Sequence, residues 1–85
     1  MSWHIHVAET AAKQIKRLPQ AEAEKIEAAI DTMMANPFAG DIKKIKGEEN
    51  TWRRRVGSYR ISYEVFVNKR FVHIFEVKRR TSNTY

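Results

Sequence analysis

A chain of 85 residues with 42% hydrophobic content has room for one compact core of modest size, so a single domain over residues 1–85 is expected. Cysteine is absent, which excludes disulfides and thiolate metal sites. No apolar run is long enough to span a bilayer and the N-terminal residues lack a secretory pattern, so a cytoplasmic location is expected and a membrane partner is not.

The formal net charge of +6 is unevenly spread. Residues 1–42 carry four basic side chains (Lys13, Lys16, Arg17, Lys25) against six acidic ones, a net of −2, whereas residues 43–85 carry twelve against four, a net of +8. A basic excess confined to one half of the chain points to a polyanionic partner, because each phosphate neutralised releases condensed counterions.

In chain order, Trp3, Ile5 and Val7 alternate with His4 and His6, the period-2 signature of a half-buried strand over residues 3–7. Ala11, Ala12, Ile15 and Leu18 then recur at helical spacing until Pro19 breaks the run. Residues 20–35 carry the strongest helical pattern, with Ala23, Ile26, Ala29, Ile30, Met33 and Met34 on one stripe, so both methionines are expected in the core. Asn36-Pro37 stops this helix, since a residue before proline avoids the helical region. Beyond it the chain turns basic and β-branched, punctuated by Gly40, Gly47 and Gly57. Residues 42–46 read as a short edge strand and 51–56 as a longer one. Tyr59 to Val67 alternates cleanly, and after a turn at Asn68-Lys69 the run 71–77, apolar on both phases, reads as a central strand. The expected fold class is α+β: an N-terminal strand, a helical hairpin, then three or four antiparallel strands, with the helices packed on one sheet face.

That order leaves the second face open, and strand alternation puts Arg53 and Arg55 together on one side of their strand, with Arg60 on the polar side of the next. Guanidinium groups in such a cluster suit RNA cleavage without a metal. The 2′-hydroxyl attacks its own phosphate, charge builds on the phosphoryl oxygens and the leaving 5′-oxygen, and arginine's planar fork meets that charge in pairs. Arg53, Arg55, Arg60 and Arg79 are the candidates. Tyr85 is available to orient the hydroxyl or stack on a base, and Lys43, Lys44, Lys46, Trp52, Arg54, Lys78 and Arg80 are expected to contact RNA. Trp52 reads equally well as core. Glu48-Glu49 reads as a solvated turn, His73 as a satisfied core histidine, and His4 with His6 lack a third ligand for a metal. No nucleophilic triad can be assembled around Ser58, Ser62 or Ser82. No metal or other cofactor is expected.

The segment Ile45-Lys46-Gly47, the run from Trp52 to Val65 with its Gly57-x-Tyr59-Arg60-x-x-Tyr63 block, and the ending Val77-Lys78-Arg79-Arg80 … Tyr85 resemble the RelE/ParE toxin superfamily. Lys16-Arg17-Leu18-Pro19 and Asn36-Pro37 extend the resemblance to nearly the whole chain. It implies a toxin of a type II toxin–antitoxin system. In the RelE branch such toxins cleave mRNA in the ribosomal A site; in the ParE branch they poison DNA gyrase. The five positions that mark the nuclease branch fall on Arg53, Arg55, Arg60, Arg79 and Tyr85. The match departs at Arg53 and Arg55, where the branch's namesake has lysines, and an arginine is a poor proton acceptor. Tyr85 then either takes the proton or only positions the hydroxyl. The glutamate and histidine pair of related nucleases has no counterpart at the corresponding places. The implied partners are mRNA, the ribosome and a cognate antitoxin with an acidic toxin-binding segment, the two proteins assembling into a higher-order complex. A gyrase poison without nuclease activity and a non-catalytic basic RNA-binding module are the alternatives.

Overall fold

A computed structural model describes residues 2–79, so the expectations for Arg80 and Tyr85 lie outside the described residues. Strand β1 (His4–Val7) leads into helices α1 (Glu9–Lys16) and α2 (Gln20–Met33). Strands β2 (Ile42–Lys44), β3 (Thr51–Val56), β4 (Tyr59–Phe66) and β5 (Phe71–Arg79) follow, with a 3-10 turn over Val67–Lys69 before β5. The sheet order is β1-β5-β4-β3-β2. The four later strands are antiparallel neighbours in succession, whereas β1 lies parallel to β5.

That parallel pairing is the one feature of topology that periodicity did not specify. The two helices carry the chain from β1 to β2 at the opposite edge of the sheet, and their apolar stripes close over one sheet face. Ala11, Ile15, Ile26, Ala29 and Met33 meet Tyr59, Ile61, Tyr63, Val65, Val72, Ile74 and Val77 to form the core. Met34 departs from the expected stripe: it lies just past α2 and is 46% exposed.

Tyr63 anchors the loop after α2, its hydroxyl donating to the Pro37 carbonyl at 2.8 Å, and both residues are fully buried. At Phe66 the strand gives way to the 3-10 turn, which ends on Arg70 in the left-handed region at φ 50°. The Arg70 carbonyl then accepts the His4 N–H at 2.8 Å, seating β1 against β5.

The ladder between β4 and β5 shifts register. Ser62 pairs with Glu76 but Tyr63 pairs with Ile74, leaving Phe75 as an extra residue on β5. Such a bulge breaks the period-2 alternation. Val72 and Ile74 point to the core before it and Val77 after it, so Glu76 falls on the opposite face. Beyond the bulge, the Val77 N–H donates to Gln14 Oε1 of α1 at 2.7 Å.

Candidate functional site

Residues directly opposite one another in a sheet share a face, so the ladder defines what the open surface displays. One row across the strands reads Lys43, Arg53, Ser62, Glu76; the next reads Arg55, Arg60, Lys78. The second row sets three cations abreast on adjacent strands. Like charges directly opposite destabilise a sheet, and nothing in the packing of this fold calls for them.

Two adjoining cavities open on these rows. The first, of about 320 Å³, is lined by Asp41, Lys43, Arg53, Arg55 and Arg60. The second, of about 360 Å³, is lined by Ile45, Arg53, Arg60, Ser62, Phe75, Glu76, Lys78 and Arg79. Arg53 and Arg60 belong to both, so they form the wall between them. Arg79, the last residue of β5, pairs with the core residue Tyr59 and so holds the core phase, yet it lines the second cavity. The structure thus brings Arg53, Arg55, Arg60 and Arg79 to one surface, together with Lys43 and Lys78.

Asp41 and Glu76 were absent from the sequence reading of this surface. Asp41 accepts from Arg55 Nε at 2.9 Å, while the Arg55 N–H donates to the Asp41 carbonyl, also at 2.9 Å. Both side chains are more than half exposed, so the ion pair orients the guanidinium more than it stabilises the fold. A cavity lined by guanidinium and ammonium groups, with carboxylates at its margin, can hold a phosphodiester and compensate charge developing on it.

Three residues expected to contact RNA lie on the other side of the sheet. Arg54 pairs with Ile61 and faces α2, where Nη1 donates to the Ala29 carbonyl at 3.1 Å and to Thr32 Oγ1 at 2.7 Å. The last turn of α2 has no basic residue of its own, so Arg54 supplies the cation that a helix C-terminus favours. Its guanidinium crosses Gly40, where a Cβ would lie 2.7 Å from Nε and φ is +88°; a larger residue there would displace the arginine. Trp52 shares this phase, half-buried against the core and edge-on to Phe38 at 5.4 Å. Lys44 lies over the Trp52 ring at 6.0 Å. Lys46 sits in the β2–β3 turn beside Gly47, Glu48 and Glu49, away from the two cavities. Replacing Arg54 by alanine is expected to cost about 1–3 kcal/mol, read as a lower melting temperature, with affinity for RNA unchanged.

His73 also departs from the expected placement. It lies on the open face, not in the core, because it holds the opposite phase from Val72 and Ile74. Its Nδ1 is 3.3 Å from Glu64 Oε1 and its ring is 5.2 Å from that of His6. His4 stacks on Phe71 at 5.6 Å. These rings cover the β1 end of the face, and among the described residues no group of three or more His, Asp or Glu converges as a metal site would.

Comparison with known proteins bears on the family and the fold. Residues 5–84 match the sequence profile described as the ParE toxin of the type II toxin–antitoxin system parDE. The RelE1 toxin of Methanocaldococcus jannaschii is 30% identical over 83 residues, covering 94% of this chain and 92% of that protein. The RelB–RelE antitoxin–toxin complex of Methanococcus jannaschii contains a chain 30% identical, with a TM-score of 0.74, covering 93% of this chain and 96% of that one. The RelE–RelB complex of Pyrococcus horikoshii gives a TM-score of 0.86 at 23% identity, over 96% and 99% of the two chains, a likeness of fold.

Proposed function

The chain belongs to the RelE/ParE superfamily of type II toxin–antitoxin toxins, and on that premise we propose that it is a metal-independent endoribonuclease that cleaves mRNA in the ribosomal A site. The observation that carries the reading is the like-charged row Arg55, Arg60, Lys78 flanked by Arg53. A protein keeps such a row, at a cost to its sheet, where an anion is to be bound.

In this reading the scissile phosphate sits across the wall formed by Arg53 and Arg60. The ribose O2′ attacks phosphorus in line, negative charge accumulates on the nonbridging oxygens, and the guanidinium groups meet it without reorganising. The bond to the 5′-oxygen breaks, leaving a 2′,3′-cyclic phosphate and a 5′-hydroxyl. Arg79 stabilises the leaving oxygen, and Tyr85 holds the attacking nucleotide by stacking or by a hydrogen bond. Lys43 and Lys78 hold flanking phosphates. The ribosome presents the RNA, so activity on free RNA is weak. The solved RelE-type relatives are seen with RelB antitoxins, and an acidic antitoxin segment covering the basic face of this chain accounts for its inhibition in the cytoplasm.

Mapping mRNA 5′ ends in cells that express the chain tests this. The expected result is growth arrest with cuts inside codons that disappear when translation is blocked, reversed by the co-expressed antitoxin. The profile matched by this chain is named for ParE toxins, and in that branch the target is gyrase. Intact mRNA accompanied by gyrase-linked DNA breaks would favour that reading instead.

A further inference from the structure

A set of arginines binds and stabilises charge but does not accept a proton, so attack by a 2′-hydroxyl needs another group to take its proton. The second cavity contains one. Glu76 lines it beside Arg53, Arg60, Lys78 and Arg79. It reaches that position only because of the β5 bulge. In unbroken alternation Glu76 would follow Val72 and Ile74 onto the helix-covered face; the extra residue at Phe75 moves it to the open face opposite Ser62. Bulges beside active sites commonly re-aim a side chain in this way. The re-aimed phase is held by the buried Val77 and by the bond from the Val77 N–H to Gln14.

The carboxylate is also uncommitted. Among the described residues Glu76 is in no ion pair within 4.0 Å, although cations line the same cavity. Asp41, the other carboxylate lining these cavities, is already held by Arg55 at 2.9 Å.

Resting on the RNA-cleaving reading above, we propose that Glu76 is a catalytic residue, the general base that receives the proton of the attacking 2′-hydroxyl. As the bond from O2′ to phosphorus forms, the hydroxyl proton passes to a Glu76 carboxylate oxygen. As the bond from phosphorus to the 5′-oxygen breaks, that oxygen leaves with its electron pair and takes a proton from solvent water. Glu76 then returns its proton to solvent, and no oxidant, reductant or further reactant is needed.

The test is single-turnover cleavage of mRNA on programmed ribosomes by the full chain, between pH 6 and 9, alongside measured RNA affinity. Glu76→Gln is expected to lower the cleavage rate about 100-fold with affinity unchanged within about twofold, and Glu76→Asp to keep part of the activity. The rate of the glutamine variant is expected to rise about tenfold per pH unit at the alkaline end, as hydroxide replaces the missing base, while the parent rate rises less steeply. Equal rates for parent and Glu76→Gln would overturn the assignment and leave the nuclease reading intact. A loss explained wholly by weaker RNA binding would also overturn it. A parent chain that cleaves nothing on the ribosome would remove both.

Discussion

Replacing Arg53 and Arg60 together with alanine is expected to reduce mRNA cleavage on the ribosome by more than about 10³-fold, since a single preorganised donor to a developing oxyanion is worth about 10²–10³. The pair is singled out by position. Arg53 and Arg60 are the two arginines shared by both cavities, so a phosphate bound on either side meets them. Neither forms an ion pair among the described residues, and neither reaches the core. Removing them therefore leaves the packing untouched, while the loss of Arg60 relieves repulsion from Arg55 and Lys78 and the loss of Arg53 relieves repulsion from Lys43. The double variant is expected to melt at the same temperature as the parent or higher, and to relieve growth arrest. Together, lost activity and undiminished stability mark side chains kept for function at a structural cost. A variant that lost activity by unfolding would contradict this separation.

The second large effect is on stability. Tyr63 is fully buried at the centre of the sheet's inner face, and its hydroxyl is bonded to the equally buried Pro37 carbonyl. Tyr63→Ala would open a large cavity and orphan that carbonyl, at a cost of about 3–5 kcal/mol. That is a large share of the roughly 5–15 kcal/mol that holds a small domain together. Denaturant titration is expected to show a chain largely unfolded at growth temperature. Tyr63→Phe keeps the volume and loses only the bond, for about 1–3 kcal/mol. Burial also pushes the Tyr63 hydroxyl up from 10.0 to about 12, the nearby Arg54 charge opposing the shift. The folded state thus retains this proton where the unfolded state has lost it. The associated stability is complete below pH 10 and falls as the pH rises toward 12. In Tyr63→Phe that alkaline loss should be smaller.

Much of this architecture was legible in the alternation of residues. The Gly57-x-Tyr59-Arg60-x-x-Tyr63 block divides cleanly by phase, with both tyrosines in the core and Arg60 on the open face. The same rule carried the information that Arg54 faces the helices. Within Arg53-Arg54-Arg55 the middle residue must oppose its neighbours, and Trp52 shares its phase. The phase of His73 is less legible, since an apolar run on both phases hides which face is buried. The bulge leaves a trace too, because Val72, Ile74 and Val77 break the period of two at Glu76. No such trace exists for the parallel pairing of β1 with β5, which lie at opposite ends of the chain with both helices and three other strands between them. The ion pair of Asp41 with Arg55 depends on the path of the loop after α2, and sequence spacing does not specify that path.

Central to the proposed function is cleavage of RNA at this basic face through the substrate's own 2′-hydroxyl. Chemical analysis of the fragment ends made on the ribosome tests it most directly. The expected products carry 2′,3′-cyclic phosphate and 5′-hydroxyl termini, and no cleavage is expected when a 2′-deoxynucleotide replaces the residue 5′ of the cut. Efficient cleavage of the deoxy-substituted message, or 5′-phosphate ends, would contradict it.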